Sequence, residues 1–342
     1  MSYTDHFGLS EAPFALTPDP RFWFESATHK KAMSYLGYGL AQAEGFIVVT
    51  GEIGAGKTTL VGLLMERIDP TRVATVRLAS TQVDGDDLLR LVAQGFGLPV
   101  EGAAKAQLLD RIERYLVDRA REGRKTLLIV DEAQNLPHSA LEELRMLSNY
   151  QSAGKALVQI LLLGQPEFRE RLASPALEQL RQRVIATHHL DGMTANEVRP
   201  YLEHRLDIVG WTGTPCFDQS ACEALFAASD GIPRRINQLA TRILLLAALD
   251  GRDVIDGANV DSVVADLKSD AAPVEAGAAG VLGAQTDNGP GLRRDDTQDR
   301  ISRLEQQIEA QEAALRRVLT LMIDWVERDA AQPTEFARAR PA

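Results

Sequence analysis

Cysteine is nearly missing from this chain: Cys216 and Cys222 are the only two in 342 residues. That excludes a disulfide framework and leaves both thiols to pack as small apolar groups. Clustered Cys/His metal chemistry has no basis either, because the six histidines are scattered. His188 and His189, adjacent on an expected strand, face opposite sides and cannot readily chelate one ion. Apolar runs are short. None approaches the roughly 18 residues of a spanning helix, so no transmembrane segment is expected. The opening MSYTDHFGLSEAPF has neither a basic stretch nor a continuous apolar one, and no export signal is read from it. Positive charge is in deficit too: 37 Lys+Arg against 48 Asp+Glu give a formal net charge of -11. Such a chain has no global field to draw DNA, and nucleic acid is not among its expected partners.

What the chain does hold is a phosphate-binding loop. Gly51, Glu52, Ile53, Gly54, Ala55, Gly56, Lys57, Thr58 and Thr59 fit G-x-x-x-x-G-K-[ST] at every constrained position. Before them runs Phe46-Ile47-Val48-Val49-Thr50, an apolar, β-branched stretch that reads as a buried parallel strand. After them comes the helix-forming Leu60-Val61-Gly62-Leu63-Leu64-Met65. Strand, loop and helix are the context this chemistry requires. Glycines let backbone N–H groups and the helix N-terminus close on the anion. Lys57 is expected to reach the β/γ-phosphates of ATP or GTP, and the Thr58 hydroxyl to ligate Mg²⁺. The plainer alternative is a glycine-rich turn that only joins strand to helix.

The second half of the site follows at Thr126-Leu127-Leu128-Ile129-Val130-Asp131-Glu132-Ala133-Gln134, an apolar run that ends in two adjacent carboxylates. This is the pattern of a Walker B strand. Asp131 is expected to hold Mg²⁺, and Glu132 to orient and deprotonate the attacking water, which favours a hydrolase over a nucleotide switch. The competing reading is that the pair caps the next helix, opened by Pro137.

Strands are expected at Val73 to Leu78, Thr126 to Asp131, Leu157 to Leu163 and Val184 to His189, separated by helices at Asp87 to Phe96, Leu108 to Ala120 and Ser139 to Asn149. The alternation implies an α/β fold with a mostly parallel, helix-covered sheet, and strand carboxyl ends gathered on one edge. After Gly192 the pattern is of helices only: Ala195 to Ile208, Asp218 to Ser229, Pro233 to Leu249 and Ala258 to Leu267. The expected division is a nucleotide-binding domain over residues 1–191, a helical lid over 192–268, a flexible Ala/Gly/Asp-rich linker over 269–297 and an amphipathic helix over 298–329. That last helix carries a heptad stripe, Ile301, Leu304, Ile308, Gln311, Leu315, Val318, Met322 and Trp325. The stripe suits a coiled coil with itself, docking on a partner, or a helix folded back on the chain.

Taken in order, GEIGAGKTT, LLIVDEAQNL, LLLGQPE, LRQRV and GIPRRIN resemble the ExeA/GspA-type secretion ATPases of the AAA+ superfamily, across about residues 1–268. Tyr3, Phe7-Gly8-Leu9, Pro13-Phe14, Pro18-Asp19-Pro20 and His29 extend the resemblance to the opening. It implies an AAA+ P-loop NTPase fold with an all-helical lid, hydrolysis of ATP with Mg²⁺, and a ring-type homo-oligomer. It also places Gln165 as a γ-phosphate sensor and Arg234 as a second sensor in the lid. Arg183 would be the arginine finger acting on a neighbour's nucleotide, with Arg181 the alternative; Arg suits this task through its planar, permanently charged fork. His29 falls near the base or the core by the same resemblance, or is a surface residue at a helix start. General-secretion relatives continue into a membrane span and a cell-wall-binding part, which this chain does not show. That departure resembles the secretion ATPases associated with exosortase A and PEP-CTERM loci. The implied partner is an inner-membrane secretion or polysaccharide-export component, and the implied location is the cytoplasm or the inner-membrane periphery. The rival reading is a DNA-associated AAA+ ATPase of the transposition-regulator type, against which the short, weakly basic tail EFARARPA counts.

Overall fold

The computed structural model describes residues 2–17, 19–78 and 83–271. The heptad stripe, the expected helix over 298–329 and nearly all of the expected linker lie outside the described residues.

Five strands form one wholly parallel sheet: β1 (Phe46–Gly51), β2 (Val73–Leu78), β3 (Lys125–Val130), β6 (Gln159–Gly164) and β7 (Val184–Leu190), in the order β2-β3-β6-β1-β7. Side chains alternate across a strand, so a strand covered on both faces must be apolar at every position. The central strands β3, β6 and β1 follow this through most of their length, whereas the edge strands β2 and β7 carry Arg77 and Thr187. Phe46, Val48, Leu128, Val130, Ile160 and Leu162 enter one core, while Ile47, Val49, Leu127, Ile129, Leu161 and Leu163 enter the other. Each such side chain contributes roughly 1.5–3 kcal/mol on burial.

The first core is roofed by α4 (Gly85–Gly95), α5 (Lys105–Arg121), α6 (His138–Leu147), α7 (Pro166–Leu172) and α8 (Glu178–Arg181). The second is roofed by α2 (Ala27–Gln42) and α3 (Lys57–Arg67). Helix starts are set locally: Ser26, Asp84 and Asp218 accept N–H bonds from the first turns of α2, α4 and α10 (Gln219–Ser229), and Thr194 with Glu197 closes a capping box on α9 (Ala195–Ile208).

The lid completes itself with α11 (Pro233–Asp250) and α12 (Gly257–Ala271). Two features depart from the expected lid. Helices are not its whole content, because β8 (Cys216–Phe217) pairs in parallel with β9 (Val254–Ile255). A second short pair, β4 (Gln151–Ser152) and β5 (Lys155–Ala156), forms an antiparallel hairpin between α6 and β6. The lid core also recruits the start of the chain. Phe7 on α1 (Tyr3–Phe7), with Leu9, Phe14 and Phe22, shares a core with Val198, Leu225 and Ile243, although residues 1–191 were expected as one domain. Arg205 fastens this segment: its Nε donates to the Pro13 carbonyl at 2.6 Å and its guanidinium lies 4.7 Å from the Phe22 ring centroid.

Candidate functional site

Register brings the strand carboxyl ends together. Thr50 pairs with Gly164 and Leu78 with Val130, so the loop after β1, the acids after β3 and Gln165 after β6 emerge along one edge. The loop turns on Gly54 (φ 86°) and Gly56 (φ 98°), backbone conformations that side chains disfavour. Space is as restrictive as the dihedral angles. A Cβ on Gly54 would lie 2.2 Å from Arg234 Cβ, and one on Gly56 would lie 2.8 Å from His29 Nε2.

Lys57 opens α3 and is buried, with Nζ donating to the Gly51 and Glu52 carbonyls at 2.6 and 3.0 Å. Burial pushes its ammonium below the ordinary lysine value, opposed by the Glu132 and Asp131 carboxylates. The Thr58 hydroxyl donates to Asp131 Oδ2 at 3.3 Å, so the two oxygens expected to share a metal already meet. Arg77, near the end of β2, reaches the same carboxylate oxygen at 2.6 Å. Glu132 is half-buried, with a left-handed backbone (φ 50°), and accepts from Gln165 Nε2 at 3.1 Å and from the Gln134 amide. Neither Arg77 nor Gln134 was picked out from the sequence. Gln134 stands inside the acidic motif and could have been; Arg77 gave no signal, since its partner is 54 residues away.

A cleft of about 280 Å³ opens beside these residues, lined by Lys57, Thr58, Glu132 and Arg234 on one side and by Trp23 and His29 on another. The size lies near the lower end of the ~300–1,000 Å³ common for small-molecule sites. Arg234 stands at the start of α11, and its backbone N–H donates to the Gly54 carbonyl at 3.3 Å, so the lid rests directly on the phosphate loop. His29 is buried, not on the surface. Its Nδ1 meets Ser26 Oγ at 2.6 Å, its ring packs edge-on to Trp23, and Nε2 has no hydrogen-bond partner among the described residues. Desolvation lowers its pKa to about 4, so the ring is neutral at pH 7. On the lid side the cleft is floored by a buried network: Tyr201 Oη donates to Asn237 Oδ1 at 2.6 Å and accepts from Arg205 Nη1 at 3.2 Å.

Arg183 is not brought into this cleft. It precedes β7, at the opposite edge of the sheet, where Nη1 donates to the Ser148 carbonyl at 3.2 Å. Arg181 is exposed and donates to the Ala173 carbonyl at 3.2 Å. A glycine cradle a Cβ would fill, a buried lysine, a hydroxyl beside a carboxylate and an orphaned histidine nitrogen together suit a nucleoside triphosphate with its divalent cation.

Sheet order, loop and paired acids define a P-loop NTPase. A family model described as AAA domain matches residues 40–172. The chain is 38% identical over 250 residues to the general secretion pathway protein A of Aeromonas hydrophila, covering 73% of this chain and 45% of the relative. It thus spans about half the length of that protein. Among solved structures it is similar to the Aeropyrum pernix ORC2 protein in ADPNP-ADP complexes, at 19% identity and a TM-score of 0.55 over 75% of this chain and 72% of that one. The Aeropyrum pernix ORC1 protein in complex with DNA gives 18% identity and a TM-score of 0.56 over 76% and 70%. At such identities the likeness is one of fold. The chain is a P-loop NTPase with an AAA+ fold, and is similar in sequence to general secretion pathway protein A.

Proposed function

We propose that this protein hydrolyses ATP with Mg²⁺ and that the turnover energises or regulates a bacterial envelope secretion system. The observation that carries the chemistry is the convergence of Lys57, Thr58, Glu132 and Arg234 on one cleft, with Asp131 bonded to Thr58. Lys57 would exchange its two loop carbonyls for phosphate oxygens. Thr58 and Asp131 would hold Mg²⁺, whose charge offsets that of the β/γ-phosphates. Glu132 would orient and deprotonate water, Gln165 would sense the γ-phosphate beside it, and Arg234 would close the lid on the nucleotide.

Arg183, or Arg181, would serve a neighbouring subunit from the far edge of the sheet, which fits a ring-type homo-oligomer. The secretion role is supported by the 38% identity to general secretion pathway protein A. The finer reading, exosortase-linked sorting or exopolysaccharide export at the inner membrane, rests on the sequence resemblance alone. No helix among the described residues is long and apolar enough to cross a membrane. The DNA-associated alternative is not favoured, since the relative with appreciable identity is a secretion protein and the ORC likeness carries only the fold.

Lys57→Ala should abolish nucleotide binding, whereas Glu132→Gln should bind ATP normally and hydrolyse it about 10²–10⁴-fold more slowly, the usual contribution of a positioned base. Isothermal titration and phosphate release measure the two. Wild-type turnover by Glu132→Gln would remove Glu132 from the reaction.

A further inference from the structure

Glu132 is held by two amides, and one of them belongs to a residue with no part in the phosphate loop, the metal pair or the sensors. Gln134 Nε2 donates to Glu132 Oε2, the oxygen that Gln165 Nε2 also reaches at 3.1 Å. The Gln134 side-chain oxygen accepts the Gln165 backbone N–H at 3.1 Å, and its main-chain carbonyl accepts Arg171 Nη1 at 3.0 Å. A backbone N–H can only donate, so the Gln134 amide oxygen must face Gln165 and its NH₂ must face Glu132. Three residues therefore close a hydrogen-bonded ring in which the amide has one permitted orientation. Glu132 needs such a restraint. It sits between β3 and a 3-10 turn (Ala133–Asn135) in a left-handed conformation, where no regular pleat sets the direction of its side chain.

We infer that Gln134 is a positioning residue for hydrolysis. It pins Oε2 of Glu132, which leaves Oε1 as the oxygen offered to the attacking water. It also keeps the carboxylate in place when Gln165 turns its amide from Glu132 to the γ-phosphate. Sensor and base are thus joined through one side chain, and the Gln165 backbone is tied to the same residue. The inference rests on Glu132 being the base.

Two variants separate positioning from packing. Gln134→Met keeps the length and bulk of the side chain but neither hydrogen bond. Gln134→Glu keeps an acceptor for the Gln165 N–H and loses the donor to Glu132. Both should lower kcat about 10–100-fold, the scale of a displaced catalytic group, with KM for ATP within about threefold. Without nucleotide, amide hydrogen exchange at Gln165 should quicken about tenfold or more in Gln134→Met and stay slow in Gln134→Glu. A residue that only fills space would move neither kcat nor exchange in Gln134→Met. Wild-type kcat in either variant, or unchanged Gln165 protection in Gln134→Met, overturns the inference. Glu132→Gln distinguishes the two failures: full turnover there sinks the base assignment itself. A silent Glu132→Gln beside a fully active Gln134→Met sinks only the role of Gln134.

Discussion

His29 should make the nucleotide-free protein sensitive to mild acid. The ring is 4% exposed, and burial lowers its pKa from 6.5 to about 4. As pH falls below 6.5 the unfolded chain takes up a proton at this residue, while the native state resists until about pH 4. The unfolded state binds more protons across that window, so stability is full above pH 6.5 and is lost on the way down to pH 4. At about 1.4 kcal/mol per pH unit the whole loss is about 3 kcal/mol, a large part of the ~5–15 kcal/mol that holds a domain together. Other groups are shifted as well: burial lowers His188, and the Ala27 and Thr194 backbone N–H groups hold Glu197 low against desolvation. The measurement must therefore be a difference. Urea unfolding of wild type and His29→Gln, at intervals from pH 7.5 to 4, should give curves that converge by about 3 kcal/mol as pH falls, because the glutamine takes up no proton. Parallel curves across the window would refute the argument, and would mean that water or a loop carbonyl supports the imidazolium.

The lid contact gives a second test. Gly54→Ala combines a left-handed backbone, costing about 1–2 kcal/mol with a side chain, with a Cβ placed 2.2 Å from Arg234 Cβ. A fluorescent nucleotide should bind at least about tenfold more weakly, and unchanged affinity would show that the lid does not need this seat. The finger assignment predicts dependence on assembly: specific activity should rise with protein concentration, and mixing Arg183→Ala with Glu132→Gln should restore some turnover. Silent mixtures beside a wild type active as a dilute monomer would remove Arg183, and the same experiment with Arg181→Ala weighs the alternative.

How much of this was legible follows from the distance over which each feature is encoded. The strands were readable because burial against helices favours short apolar, β-branched runs: the edge strand Val73–Leu78 is β2 to the residue, and Thr126–Asp131 differs from the central β3 by one position at each end. The phosphate loop was readable because its glycines, lysine and threonine are contiguous. The pairing of β8 with β9 was not, since two residues on each side carry no period. The N-terminal segment shows the same limit at larger scale. Phe7, Leu9, Phe14 and Phe22 are visibly apolar, but nothing local says that their partners lie beyond residue 192.

The Glu132 neighbourhood sets out that contrast within a few ångströms. Asp131 and Glu132 announce themselves as adjacent acids after an apolar strand. What those acids touch was decided by sheet order: β2 beside β3 puts Arg77 on Asp131, and β6 on the other side of β3 puts Gln165 on Glu132. Gln134 lies between the two kinds of information. It is local in sequence, two residues from the base, yet its amide is oriented only because a backbone N–H from β6's end arrives to fix it. The expected base could be named from the motif; the ring that aims it required the fold.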